Sequence, residues 1–407
     1  MDSHARLHGE LTSFLRQHCL VCDQRHLVLL SWMVTGLLLS QTVCFDQWKR
    51  SIPLNRCLPA SWQRRCRRWL SNRRIDAEAF YSPLVLWAIQ QWQKPGQVLH
   101  LALDTTVLWN RFCVVVLSVV CHGRAIPLLW QTLEHPSASV SAEVVITLLE
   151  RADRLLTRLN AITVLADRAF PSAELLGWFE GRSRWRYVMR LRSDTWIHGT
   201  AAPMGCEVRR LRLPRGHCRG FRAVQLWECG HRANLLLARP VGITAAEPWY
   251  LVSNLEPNLD LVWAYGQRFC CEQLFRDQKS GIFQLESSGL RCPERIDRLL
   301  LVVAIAVLIS HLQGYAVSLA GERRRIDPHW KRGLSFARIG LHWLQQSVIT
   351  AGRALLAWMP IPLQALEPCI PSRGVKRRQK RPWFSRIDVT PFIGPGAMRV
   401  GGYAAAV

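Results

Sequence analysis

Acidic residues are scarce in this chain. Its 407 residues include 29 Asp and Glu against 53 Lys and Arg, a formal net charge of +24. Such a surplus points to a polyanionic partner, most often nucleic acid, with a membrane surface as the alternative. The excess is spread over Arg64 to Arg74, Arg182 to Arg192, Arg209 to Arg222, Arg323 to Arg325 and Lys376 to Arg381. That spread suits a long DNA track better than a single anionic pocket. Ordered cysteine spacing is missing too: the 14 Cys form no framework, and nothing at the start reads as a signal peptide, so reduced cytosolic thiols are expected. Cys19 and Cys22, after His18, have the spacing of half a zinc site, but no second pair follows at a suitable distance. Uninterrupted apolar runs of membrane-spanning length are also lacking. Leu27 to Phe45 is uncharged but broken by Ser, Thr, Gly and Gln, and Leu299 to Ile309 is too short for about 30 Å of hydrocarbon. No internal repeat is visible. The chain is expected to be soluble, with no membrane partner.

What is present divides into five parts. Residues 1–95 read as helical segments, among them Ser61 to Leu70, where Arg64, Arg65, Arg67 and Arg68 stand beside Trp62 and Trp69. This fits a helical DNA-binding domain of helix-turn-helix type, and equally a bundle with a solvated basic face. From Gln97 the pattern changes. Val98 to Leu103, Phe112 to Cys121 and Ile126 to Thr132 read as three successive strands, with turns at Trp109-Asn110 and His122-Gly123. A helix (Val140 to Leu159), a strand (Ile162 to Ala166), a helix (Ser172 to Glu180) and a strand (Trp185 to Arg192) follow. The order βββ-α-β-α-β is that of a ribonuclease-H-like α/β core of the retroviral-integrase type, first part 96–193. Residues 194–253 are turn-rich, with strands at Phe221 to Glu228, Ala233 to Ala238 and Trp249 to Ser253, and read as a β-rich insertion into that sheet. The helical second part of the core is 254–350, including a buried helix from Pro293 to Gly314, and 351–407 is a basic, Pro- and Gly-rich tail.

Two acids sit at the ends of otherwise apolar strands: Asp104 in Leu-Ala-Leu-Asp-Thr-Thr and Asp167 in Leu-Ala-Asp-Arg-Ala-Phe. A carboxylate there is costly unless paired or metal-bound. Taken singly, Asp104 could cap a turn and Asp167 could pair with Arg168. A third acid, Glu272, lies in a Pro-free stretch from Tyr265 to Gly281 that can run as one helix, part of a segment from Leu259 to Ser280. On a helical wheel Arg268, Glu272 and Lys279 fall within about 60° of Tyr265, an aromatic, two cations and a carboxylate on one stripe. A surface helix with an Arg268–Glu272 pair is the plainer alternative.

The spacing Tyr265, two residues, Arg268, three residues, Glu272, six residues, Lys279 resembles the signature of DDE-type insertion-sequence transposases of the IS-four family. Asp104-Thr105-Thr106, the block Ala166 to Phe170 and the run Leu274 to Gly281 resemble the family's other signature regions, over roughly residues 99–315. Ala169 stands where Gly is common. The resemblance implies that Asp104, Asp167 and Glu272 hold two Mg²⁺ or Mn²⁺ ions for phosphoryl transfer on DNA. It implies that Arg268 and Lys279 clamp phosphates, with Arg276 beside them, and that Tyr265 contacts the DNA end. Trp249, just upstream, is a candidate to stack on an extruded base, or else a strand residue packed in the insertion. The implied partners are double-stranded DNA, as terminal inverted repeats and target, and a second copy of the chain on paired ends. The implied location is the cytoplasm, on the nucleoid. The alternatives are a metal-dependent nuclease without strand transfer and a DNA-binding regulator that keeps the fold.

Overall fold

The computed structural model describes residues 3–19, 23–52, 59–199, 202–240, 248–328, 333–350, 354–364, 366 and 387–392. Five helices come first: Ser3–His18 (α1), Gln24–Ser40 (α2), Phe45–Trp48 (α3), Pro59–Ser71 (α4) and Ala77–Ala88 (α5). Their starts are set by capping. Asp23 accepts from the Arg25 amide, and Asp76 from the Glu78 and Ala79 amides. Along α4, Trp62, Cys66, Trp69 and Leu70 are buried while Arg64, Arg65, Arg67 and Arg68 are exposed. The helical period thus sorts the sequence into an apolar stripe and a solvent-facing arginine face. Cys22 of the candidate zinc pair lies outside the described residues.

The sheet begins with Leu99–Leu108 (β1), Phe112–Cys121 (β2) and Arg124–Leu133 (β3), an antiparallel meander. Its turns fall where the sequence placed them, with left-handed backbone at Trp109 and Asn110 (φ 52° and 50°) and at His122 and Gly123 (47° and 70°). Every position of β2 is buried, as befits a strand covered on both faces. After Ala142–Leu155 (α6), Ile162–Ala166 (β4) pairs parallel to β1, and after Ala173–Trp178 (α7), Trp185–Arg190 (β5) pairs parallel to β4. The Ser172 hydroxyl accepts from the Leu175 amide and starts α7. Strand order β3-β2-β1-β4-β5 is that of a ribonuclease-H-like core.

The β-rich stretch extends the same sheet. It contains Trp196–Gly199 (β6), Ala202–Glu207 (β7), Cys218–Leu226 (β8), His231–Ala238 (β9) and Trp249–Ser253 (β10), and β10 joins it antiparallel to β5. Pro203 and Gly205 hide the alternation of β6 and β7, which sequence reading missed. Two helices, Leu259–Gln267 (α8) and Cys270–Arg276 (α9), follow, then a π-turn at Asp277–Gly281 and the helices Pro293–Leu319 (α10) and Phe336–Ile349 (α11). A last strand, Ile387–Pro391 (β11), runs parallel to β8 at Cys218–Arg222, the part of β8 that β6 leaves open. That strand falls in the stretch expected to be a tail. The basic run Lys376 to Arg381 lies outside the described residues.

α10 is long and apolar enough to cross a membrane, but its apolar window is wholly buried. It is the core helix, packed by β3, α2, α4, α5 and α11. α10 and α11 touch backbone to backbone. A Cβ on Gly340 would lie 1.8 Å from the Ser310 carbonyl oxygen, and one on Gly314 would lie 1.9 Å from that of Phe336. Alternation along β4 and β5 decides which helices cover which face. Leu165 and Val188 pack with Leu261, Val262 and Tyr265 under α8, whereas Val164, Tyr187 and Met189 join the larger core.

Candidate active site

Asp104 does not end its strand, as the sequence had indicated; β1 runs on to Leu108 because β2 pairs with it along that whole length. What ends near Asp104 is the parallel partner. The β1–β4 ladder stops at Leu103 opposite Ala166, so Asp104 and Asp167 are the next residues on neighbouring strands. Side chains alternate, and Ala102 lies opposite Leu165, so both acids belong to the face that α8 and α9 cover. Cys271 of α9 is buried against the Ala102 carbonyl. The next residue along α9, Glu272, enters the same neighbourhood. Each Asp also accepts the amide that follows it, Thr105 at 2.9 Å and Arg168 at 2.7 Å. These bonds hold the two carboxylates beside the end of the β1–β4 ladder.

The expected single helix from Leu259 to Ser280 is three pieces. The ladder breaks at residues 268–269, although Arg268 and Phe269 keep right-handed dihedrals, and again at the π-turn. A side chain at position 281 would meet the Arg276 carbonyl at 2.8 Å, which is why Gly281 closes the turn. The continuous wheel therefore misplaces part of the stripe. Arg268 is 5% exposed, and its guanidinium lies 2.9 Å from Asp104 Oδ2 and 3.5 Å from Glu272 Oε1. Its Cζ stands 4.8 Å from the Phe269 ring centroid. Lys279 turns inward: Nζ donates to the Val107 carbonyl at 2.7 Å and pairs with Glu286 at 3.4 Å. Arg276 is exposed.

Tyr265 and Trp249 are not on the surface. They are 0% and 2% exposed and pack edge to face at 5.1 Å between ring centroids. Their rings fill the second apolar cluster because Trp249 is on a central strand and Tyr265 is on the side of α8 that meets it. The base-stacking and end-contacting roles expected of them have no support in this placement. Besides Trp263 on α8, at 47%, the exposed ring of the region is Phe269, at 36%. Its three-residue offset from Glu272, which puts the two on one side of a helix, was the available signal.

Electrostatically the three acids are one group. Burial pushes the Asp104 pKa up; Arg268 and the Thr105 amide pull it down, while Asp167 and Glu272 raise it further. Burial works against the charge of Arg268, but Tyr265, Asp104, Asp167 and Glu272 together leave its pKa above the usual value. Burial lifts the Tyr265 phenol to about 12, so it is neutral. Its hydroxyl lies within the guanidinium's field yet completes no hydrogen bond of good geometry.

Residues 110–309 match the model of the transposase DDE domain family. Just under half of the chain is thus similar to a transposase DDE domain. Asp167 and Glu272 fall inside the matched span, and Asp104 stands just ahead of it, tied to Asp167 by the strand register. No curated protein shows significant similarity to the chain. Among solved structures, the piggyBac transposase synaptic complex with hairpin DNA is similar over 84% of this chain and 77% of that one, at a TM-score of 0.41 and 12% identity. So loose a likeness adds nothing to what the strand order shows.

DDE domains work with divalent metal ions. The chemistry of the donor set suits a hard cation, since Asp104, Asp167 and Glu272 are carboxylates whose charges act on one another. Among the described residues no three His, Cys, Asp or Glu stand in metal-holding geometry. In the structure, the cation between Asp104 and Glu272 is the Arg268 guanidinium.

Proposed function

We propose that this protein is a cut-and-paste transposase of the IS-four type, which cleaves DNA at the ends of an insertion sequence and joins the freed ends to a target. The observation that carries the reading is the meeting of Asp104, Asp167 and Glu272 on one face of a ribonuclease-H-like sheet, within a chain of net charge +24. Asp104, Asp167 and Glu272 would hold two Mg²⁺ or Mn²⁺ ions, which supply Lewis-acid activation of the attacking oxygen and of the scissile phosphate.

The remaining chemistry belongs to the chain and the DNA. In cleavage a water oxygen attacks phosphorus and the bond to the 3′-oxygen breaks, leaving a 3′-hydroxyl. That hydroxyl then attacks a second phosphodiester, so one P–O bond forms as another breaks. No protein nucleophile is required. The exposed Arg276 and the partly exposed Lys279 would make phosphate contacts, and Arg268 would add a third cation on turning toward DNA. Paired ends call for a dimer on DNA, and the reaction takes place on the bacterial nucleoid.

The test is incubation of the purified protein with Mg²⁺ and duplex DNA carrying the sequences that flank its gene. Nicking at those ends and joining to a second plasmid support the reading. Nicking without joining makes the protein a metal-dependent nuclease. Equal binding by wild type and Glu272→Gln with no cutting by either makes it a DNA-binding regulator.

A further inference from the structure

Resting on the reading of Asp104, Asp167 and Glu272 as metal ligands, a further relationship concerns Arg268. Its guanidinium is clasped from several sides: Nη1 reaches Asp104 Oδ2 at 2.9 Å, Nη2 reaches Glu272 Oε1 at 3.5 Å, and the Phe269 ring stands 4.8 Å from Cζ. Asp104 Oδ1 is already taken by the Thr105 amide. Both oxygens of Asp104 are thus engaged, one of them by a cation that is itself 5% exposed. Against three carboxylates the single guanidinium leaves a deficit of positive charge, so the cluster still attracts cations, but an incoming ion meets oxygens already occupied. The bond to Glu272 is long for a charged pair, the Glu272 side chain is 56% exposed, and Arg268 Nε is buried without a partner. The clasp is therefore incomplete on the side of Glu272, and the Phe269 ring that packs against the guanidinium is itself 36% exposed.

We propose that Arg268 is an exchangeable counter-ion: in the DNA-free chain it occupies the oxygens of Asp104 and Glu272 that a divalent cation needs, and a DNA phosphate releases them by drawing the guanidinium outward. DNA and metal then bind cooperatively through one side chain, and the carboxylates are armed only where a phosphodiester is present. Coupling of this kind is reciprocal, so whatever factor DNA adds to metal affinity the metal adds to DNA affinity.

The experiment measures Mn²⁺ binding to the full chain from the electron paramagnetic resonance signal of the free ion. It compares wild type, Arg268→Gln, Arg268→Lys and Asp104→Asn, with and without duplex DNA carrying the sequence that flanks the gene. Without DNA, Arg268→Gln is expected to bind Mn²⁺ at least about fivefold more tightly than wild type. Arg268→Lys should fall between them, because an ammonium keeps the charge but cannot fork across two carboxylates. DNA should tighten wild type by a similar factor and Arg268→Gln hardly at all. Should Arg268→Gln fail to fold by circular dichroism, the Arg268→Lys comparison decides. Unchanged Mn²⁺ affinity in the folded Arg268 variants without DNA, or equal tightening by DNA in wild type and variants, overturns the inference. If Asp104→Asn loses Mn²⁺ in those same experiments, only the role of Arg268 has failed. If Asp104→Asn binds as wild type does, the metal-site reading falls with it.

Discussion

Leu103 and Ala166 pair across β1 and β4 in parallel register, and that pairing sets Asp104 beside Asp167. A slip of one residue would turn one of the two acids to the opposite face of the sheet, because side chains alternate. Neither acid carries a signal of its own strong enough to assign it. What the register shows is that they are neighbours, with Glu272 brought over the same face by α9.

The acids should separate in their effects on stability. Asp167→Asn removes one of the like charges around Asp104 and should leave the melting temperature unchanged or raised. Asp104→Asn leaves buried Arg268 without its closest partner and should cost about 1–3 kcal/mol. Both should lower DNA cleavage on the order of a hundredfold or more. Thermal unfolding and end-cleavage assays on the same preparations check the two halves independently.

Trp249 and Tyr265 should behave as core residues. Trp249→Ala opens a cavity beneath α8 and should destabilise by about 3–5 kcal/mol. Tyr265→Phe deletes a buried hydroxyl without a good partner, so stability should stay level or rise by up to about 1 kcal/mol. Denaturant titration reads both. A Trp249→Ala protein of wild-type stability that has lost DNA affinity would return the ring to a stacking role.

Asp297, near the start of α10, introduces a pH dependence. Burial pushes its pKa from 3.8 up to about 6, although the Thr132 hydroxyl donates to it at 2.6 Å and works the other way. The folded chain therefore holds this proton more tightly than the unfolded chain between those two values. The contribution of Asp297 to stability falls as pH rises through that window and is flat above it. Part of the residue still reaches solvent, which screens it, so the expected size is about 1–2 kcal/mol. Asp297→Asn should remove that slope, seen as a smaller change in melting temperature across the window.

Gly314 and Gly340 should tolerate no side chain. Gly340→Ala would drive a methyl into the Ser310 carbonyl and should cost about 3 kcal/mol. Gly9→Ala in α1 meets nothing within 4 Å and should stabilise by about 0.5–1 kcal/mol. Melting temperatures of the two variants should move in opposite directions.

Much of this was legible from local pattern. Phe112 to Cys121, Ile162 to Ala166 and Trp249 to Ser253 were read with the bounds the structure gives them, since each is a short apolar run ended by turn residues. The three acids and Arg268 could be singled out for the same reason, as charges in apolar or periodic surroundings. Strands β6 and β7 could not, because Pro and Gly interrupt their alternation, and β11 could not, because its partner β8 is far away in sequence.

The amino-acid sequence alone settled the basic surplus and the order of the elements from β1 to β5, and it singled out the acids, because these follow from composition and from side-chain periods of 2 and 3.6. Only the tertiary structure decided which way the aromatic and cationic side chains of the Tyr265 to Gly281 stretch face. That stretch breaks at residues 268–269 and again in a π-turn, so a single wheel cannot describe it, and packing against Trp249, Asp104 and Val107 chooses the direction of each side chain.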